Sequence, residues 1–368
     1  MKIAIDLTAL AFNFSGVERY ALNISKTMIE NNNEDKFYLL FCNEIHKEYC
    51  KICQKENVKY FIVKAKKSKM SKLYMFQVKN LVALKKMKAD RYVFLAFAPP
   101  VFFHESNMIT TIHDLGYFDC PKMWKWYVTL YGKCKIYAAI RHSKKIVTVS
   151  EYTRNRLIDM FKYNKEQINV IYNGVDKRFN DQKIEKDVKE TLISKYELPK
   201  NSFLLCLATL EPRKNLKLLI EAYAKLKERG LIEKDLVLAG RSGWKFNDLF
   251  YNYGNEIANA IHFTGFIEDK DLPMVYKMAD YFVFPSKYEG FGIPPLEAMA
   301  CGTQPLVSDL EVFKEVLGDA AVYFKNNNLT DLENVLVKME KRPKELLYRQ
   351  AQKYSWDKSA ELLYGVIK

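Results

Sequence analysis

Apolar positions along the chain gather into short β-rich runs separated by stretches of helical spacing. In the first half the runs are Lys2–Asp6, Phe37–Phe41, Val58–Lys64, Tyr92–Phe97, Met108–Thr111, Ile146–Val149 and Ile168–Tyr172. Between the first two, Val17, Tyr20, Ala21, Ile24 and Met28 recur at helical intervals and predict one amphipathic helix. Ser150 stands where it can cap a helix starting at Glu151. After a polar stretch the alternation resumes with strands at Phe203–Leu207, Leu236–Ala239, Ile261–Thr264, Tyr281–Phe284 and Pro305–Val307. The intervening helices are expected at Leu216–Arg229, Leu272–Met278 and Pro295–Ala300. Such alternation favours parallel sheets with helices on both faces. The expected fold is α/β, with two Rossmann-like doubly wound domains facing a cleft. We place them at residues 1–178 and 201–350, with an interdomain segment at 179–200 and a helix within 351–368 crossing back to the first domain.

A chain of 368 residues exceeds what one core usually serves, and 49% apolar content supplies material for two. No run is long enough to span a bilayer. The start, Met1-Lys2-Ile3-Ala4-Ile5-Asp6, lacks the apolar region of a signal peptide, so a cytoplasmic location is expected. Seven scattered cysteines argue against a disulfide framework, and the single Cys50-Lys-Ile-Cys53 pair lacks the partners of a zinc site.

The net charge of +14 changes the picture through its distribution. Between Lys64 and Lys88 there are nine lysines and no acid, interleaved with Leu73, Phe76, Leu81, Val82 and Leu84. That pattern suits a basic amphipathic helix on an anionic membrane, with Lys66, Lys67, Lys69, Lys72 and Lys79 at the surface. A solvated helix packing its apolar stripe on its own core is the competing reading. No zinc-finger, RNA-recognition or clear helix-turn-helix signature accompanies the charge, and no nucleic-acid partner is expected.

In doubly wound sheets, ligands bind beyond the carboxyl ends of strands. Two segments stand there. Leu210-Glu-Pro-Arg213-Lys214-Asn215 lies between a strand and a helix, so its two cations adjoin a helix N-terminus and suit a diphosphate. Tyr288-Glu289-Gly-Phe-Gly-Ile-Pro-Pro-Leu-Glu297 opens after another strand. Its glycines permit close backbone approach to a ligand, and Glu297 is expected in the first turn of the helix that follows. Carboxylates so placed can accept from sugar and ribose hydroxyls.

The pair Glu289 and Glu297, seven residues between them, and the Glu211-Pro-Arg213-Lys214-Asn215 segment together resemble glycosyltransferase family 4, retaining enzymes of the GT-B fold. Further segments agree: Phe14-Ser-Gly16-Val-Glu-Arg-Tyr20, Thr111-Ile-His113-Asp-Leu115, Val149-Ser-Glu-Tyr-Thr153 and Ile171-Tyr-Asn-Gly-Val-Asp176. The first loop has one glycine where many relatives have two, and Gln304 departs from the usual Gly-x-Pro-Val. The resemblance implies that Arg213 and Lys214 hold the donor diphosphate, Glu289 the sugar hydroxyls, and Glu297 the ribose. Phe291, Gly292 and Ile293 would contact sugar and phosphate through their backbone, Gly16 would approach the phosphates, and His113 would sit beside the reacting sugar. No metal or other cofactor is implied. The expected activity is transfer of a hexose or deoxyhexose from a nucleotide-diphosphate sugar to a lipid-linked or polysaccharide acceptor. The motif form is similar to mannosyl- and rhamnosyltransferases of bacterial surface polysaccharides (O-antigen or capsule), peripheral on the inner face of the plasma membrane.

Asp269-Lys-Asp271 matches a metal-binding DxD, but its place before the helix at Leu272 is explained by capping. The chain has no G-x-x-x-x-G-K-[ST], H-E-x-x-H or G-x-S-x-G, and no G-x-G-x-x-G after its first strand. The alternatives that remain are a sugar-nucleotide epimerase or isomerase and a basic nucleic-acid-binding α/β protein.

Overall fold

Continuous apolar runs buried on both faces are the mark of strands inside a parallel sheet, and Ile3, Ala4 and Ile5 show it at the start of the chain, each without exposed surface. The computed structural model describes residues 1–11, 16–66, 68–96, 98–207, 211–240 and 254–368. Phe14 and Ser15 of the first loop, Lys67, Phe97 and Leu210 lie outside the described residues, as does the side chain of Lys69. The chain forms two units, one of Met1–Gly174 with Tyr354–Lys368, the other of Val175–Lys353.

In the first unit, β1 (Lys2–Asp6), β2 (Lys36–Cys42), β3 (Val58–Val63), β4 (Arg91–Phe94), β5 (Met108–Ile112), β6 (Lys145–Thr148) and β7 (Ile168–Val170) form one parallel sheet. Its order is β3-β2-β1-β4-β5-β6-β7, so the order reverses beside β1. The helices are α1 (Gly16–Glu30), α2 (Lys69–Tyr74), α3 (Asn80–Met87), α4 (Gly116–Asp119), α5 (Trp126–His142) and α6 (Glu151–Phe161). Ser150 caps α6 by accepting from the Thr153 amide at 3.1 Å. The lysine-rich stretch is not one regular helix. A π-helical turn, Met75–Lys79, joins α2 to α3, and Lys64 and Lys66 precede both. Met75, Leu84 and Met87 bury the inner face, while Leu73 and Val82 stay exposed.

The C-terminal helix, Trp356–Ile367, closes this unit. Arg91 Nε donates to the Ile367 carbonyl at 2.7 Å, Lys145 Nζ to that of Val366 at 2.7 Å, and the Tyr364 hydroxyl to Asp35 at 2.5 Å. Gly174 leaves room for this helix to start: a Cβ there would collide with the Trp356 backbone.

In the second unit, β8 (Phe203–Leu207), β9 (Asp235–Ala239), β10 (Ile261–Gly265), β11 (Tyr281–Phe284), β12 (Gln304–Ser308) and β13 (Val322–Phe324) form a parallel sheet in the order β10-β9-β8-β11-β12-β13. The helices are α7 (Lys186–Tyr196), α8 (Leu216–Glu228), α9 (Asn255–Asn259), α10 (Leu272–Met278), α11 (Ile293–Ala300), α12 (Glu311–Leu317), α13 (Leu329–Lys338) and α14 (Lys344–Gln352). The C-terminal helix is α15. The polar segment 179–200 belongs to this unit and carries α7, because Leu192 and Tyr196 bury their side chains while the rest of the helix stays polar. β13 has no counterpart in the strands read from the sequence.

Asp271 precedes α10, but its carboxylate does not cap the helix. It accepts instead from Lys195 Nζ and the Tyr196 hydroxyl, each at 2.8 Å, which ties α7 to α10. Among the described residues no cluster of three metal-ligating side chains occurs, and no helix is long and apolar enough to cross a membrane.

Candidate active site

The charged segment after β8 is shaped by a single left-handed residue. Pro212–Lys214 form one 3-10 turn, and Asn215, at φ 54°, redirects the chain into α8. Asparagine tolerates that conformation better than most residues, which gives Asn215 a backbone role in the motif. The loop after β11 grips the same turn, the Lys287 amide donating to the Arg213 carbonyl at 2.9 Å.

These two loops bring three charges together. Arg213 Nη1 donates to Glu289 Oε2 at 2.7 Å and to the Tyr288 carbonyl at 3.3 Å. Lys214 Nζ donates to Glu289 Oε1 at 2.6 Å and lies 4.7 Å from the centre of the Phe284 ring. The Glu289 side chain is only 9% exposed. Burial opposes its ionisation, but Arg213 and Lys214 outweigh that cost and hold its pKa at about 2. Burial and the neighbouring Arg213 push the Lys214 ammonium downward, against the pull of Glu289. The cluster carries two cations for one buried anion. Glu211, 3.6 Å from Arg213 Nη2, is the more exposed acid at its rim.

Gly292 turns the chain at φ 102° into α11, whose first residues are Ile293, Pro294 and Pro295. The prolines supply no N–H, so of the amides at this helix start that lack intrahelical acceptors, those of Gly292 and Ile293 remain. The sequence pattern expected Glu297 in the first turn. The helix starts earlier, at Ile293, because proline is welcome at its first positions, and Glu297 falls in the second turn. It is buried and accepts from the Tyr276 hydroxyl at 3.1 Å. Phe291 is buried beside them.

In the first unit, Gly16 opens α1 and is exposed there, and His113 follows β5. His113 Nε2 lies 2.7 Å from the Leu95 carbonyl. A carbonyl only accepts, so Nε2 carries the proton and Nδ1 keeps its lone pair. Burial lowers the His113 pKa, which keeps the ring neutral at physiological pH. The Tyr20 ring meets it edge-on at 4.9 Å, and Trp356 of α15 packs on Tyr20 at 6.0 Å.

The structure thus gathers Arg213, Lys214 and Glu289 into one cluster of the second unit and sets His113 in an aromatic stack of the first. Sequence reasoning treated Tyr20 as one member of an apolar stripe and did not single out Leu95, Tyr276, Phe284 or Trp356. Their contacts join distant segments and leave no local spacing to read.

A parallel-sheet α/β unit with a charged cluster beyond its strand ends, paired with a second such unit, is the arrangement of GT-B glycosyltransferases. Residues 155–356 match the family described as glycosyl transferases group 1, and residues 14–179 match glycosyltransferase family 4. The first match covers over half of the chain, and the protein belongs to that family. Two Escherichia coli proteins are each 32% identical to it. O-antigen chain mannosyltransferase B matches over 224 residues, 60% of this chain and 58% of its own length. Serotype-specific mannosyltransferase WbdA matches over 268 residues, 70% of this chain and 32% of its own. The chain therefore spans less than two thirds of either relative. The crystal structure of Anabaena HepE in complex with UDP and glucose shares the fold, with a TM-score of 0.72 at 15% identity over 99% of this chain and 98% of that one.

Proposed function

We propose that the protein is a retaining glycosyltransferase that moves a hexose or deoxyhexose, mannose foremost, from a nucleotide-diphosphate sugar to a lipid-linked or polysaccharide acceptor of a bacterial cell-surface glycan. The carrying observation is the Arg213–Glu289–Lys214 cluster, where two cations converge on one buried carboxylate. The names of the mannosyltransferase relatives support the sugar.

In this reading the bond from the anomeric carbon to the diphosphate oxygen breaks, the acceptor hydroxyl's oxygen bonds to that carbon, and the hydroxyl proton passes to the leaving diphosphate. Arg213 and Lys214 neutralise the charge that develops on the leaving diphosphate, a preorganised electrostatic role. Glu289, released in part from those cations, accepts from hydroxyls of the transferred sugar. The amides of Gly292 and Ile293 donate to the sugar-phosphate, and Gly16 lets α1 approach a phosphate. Glu297, oriented by Tyr276, accepts from the ribose. His113 offers Nδ1 to a sugar hydroxyl. In this reading Arg213 and Lys214 do the work that a metal ion would otherwise do. The protein would work at the cytoplasmic face of the plasma membrane, with the lysines of 64–88 meeting its anionic surface.

A thermal-shift panel of GDP, UDP, ADP, dTDP and their sugar conjugates tests the donor. A ligand at ~100 times its dissociation constant adds about 2.7 kcal/mol of stability. Stabilisation by one nucleotide, followed by transfer of its sugar to a lipid-linked glycan, is the expected result. Conversion of the sugar nucleotide without any acceptor would instead identify an epimerase or isomerase.

A further inference from the structure

Most long surface helices turn charge outward, whereas most of the outward side chains of α5 are apolar. Trp126 is 76% exposed and Leu130 56%, with Tyr127 and Tyr137 also open to solvent. Together with Cys134 and Arg141 they recur at helical intervals and form one outward stripe. The opposite face is buried through Thr129, Gly132, Ile136 and Ala139. The helix is therefore already packed, and its apolar outer stripe is surplus to the core of this unit.

The fold sets this stripe against the lysine-rich helices. Gln77, in the turn between α2 and α3, donates to the Tyr131 hydroxyl of α5 at 2.8 Å. Its carbonyl oxygen accepts from the Val101 amide at 2.8 Å, in the loop after β4. The next residue, Phe102, is 73% exposed. On α2, Met70 and Tyr74 add 74% and 55% exposed side chains.

Charge agrees with the shape. No Asp or Glu occurs from 57 to 89, a stretch with ten lysines, or from 120 to 150, which holds six lysines and one arginine. Glu105 is the one acid in the connecting stretch from 98 to 107. Aromatic and aliphatic side chains standing out of a basic, acid-poor face are complementary to an anionic lipid surface, where lysines adsorb at the headgroups and apolar groups enter the acyl boundary.

We propose that α5 and Phe102 form an insertion ridge with which the first unit enters an anionic bilayer, the lysines of 64–88 supplying only the electrostatic approach. This rests on the membrane association proposed above and extends it to a second element that carries most of the depth. The ridge is joined to His113 through the chain, because the connection that carries Phe102 leaves β4 at Leu95, whose carbonyl accepts from His113. A lipid-linked acceptor held at the ridge would reach the protein next to that loop.

The test is sedimentation of the full chain with phosphatidylcholine vesicles containing phosphatidylglycerol, at low and high salt. The variants are Trp126→Ser/Leu130→Ser and Lys66→Glu/Lys72→Glu, with an unchanged thermal-shift response to nucleotide as the check on folding. The wild type is expected to bind at low salt and to stay partly bound at high salt. The serine variant should bind about tenfold more weakly, with what remains fully reversed by salt. The glutamate variant should lose the salt-sensitive part. Unchanged binding of a folded serine variant would overturn the ridge and leave the lysine reading standing. A wild type that does not bind at low salt would overturn both. A wild-type dimer that the serine substitutions convert to monomer would assign the ridge to self-association instead.

Discussion

Arg213 and Glu289, separated by 75 intervening residues, meet at 2.7 Å, and Lys214 closes the same carboxylate from its other oxygen at 2.6 Å. The two hallmark segments of the sequence are thus one electrostatic unit. Under the proposed function, a diphosphate arriving here would compete with Glu289 for both cations. The carboxylate holds the cations in place beforehand, and its release would free it for sugar hydroxyls.

Two substitutions separate these roles. Arg213→Ala should lower sugar transfer by about 10²–10³-fold, the usual cost of removing one preorganised donor to developing charge. Glu289→Gln leaves two half-buried cations without their anion. It should bind the bare nucleoside diphosphate more tightly than the wild type while transferring sugar more slowly. Calorimetry with the nucleotide beside a transfer assay checks both, and weaker nucleotide binding by the Gln variant would contradict the competition.

The same ion pairs make a prediction for acid stability. The Glu289 pKa stands at about 2 in the fold against 4.5 as its reference. A carboxyl whose folded pKa is depressed stabilises the protein above its unfolded pKa and loses that contribution as pH falls through the folded one. The difference is on the order of 3 kcal/mol, lost between about pH 5 and pH 2. Urea titrations across that window should show a steeper loss of stability in the wild type than in Glu289→Gln. Parallel curves would mean that the cluster does not hold the carboxylate this far below its reference value.

How much of this was legible beforehand depends on the kind of contact. Strand cores such as Phe203–Leu207 and Tyr281–Phe284 read directly, because burial on both faces leaves an unbroken apolar run. The helix Leu272–Met278 also stands at the bounds that the sequence pattern gives it. Arg213, Lys214 and Glu289 could be named from local motifs, yet their mutual pairing could not, since it depends on β8 and β11 lying side by side. Asp271 read as a cap from its neighbours alone, whereas a lysine and a tyrosine from α7 claim its carboxylate. The outward stripe of α5 resembles an ordinary amphipathic pattern until the structure shows which face is covered.

Gly292 offers a backbone test. At φ 102° an L side chain is strained, and a Cβ would stand 2.6 Å from Cε1 of Phe313. Gly292→Ala should cost about 1–3 kcal/mol of stability and shift the α11 start that presents the Gly292 and Ile293 amides. Donor affinity should fall with it. Chemical denaturation and nucleotide titration measure the two effects, and a variant with wild-type stability would show that the loop relaxes freely.

His113 offers the finest test, because its tautomer follows from its partner. The Leu95 carbonyl takes the Nε2 proton, so under the proposed function the ring would meet ligand through the Nδ1 lone pair, and only while it is neutral. Burial lowers its pKa below the reference of 6.5, so protonation is deferred to more acid solution than for an exposed histidine. Any acid limb of transfer that belongs to His113 should therefore fall below pH 6.5 and be absent from His113→Asn. Asparagine places an amide near the position of Nδ1 and can accept there, whereas glutamine reaches toward Leu95 and restores only the anchoring bond. Transfer should accordingly survive better in His113→Asn than in His113→Gln, with thermal stability in the opposite order. If glutamine proved the better catalyst, the imidazole would be acting through its contact with Leu95, as a positioning residue rather than as a group that touches sugar.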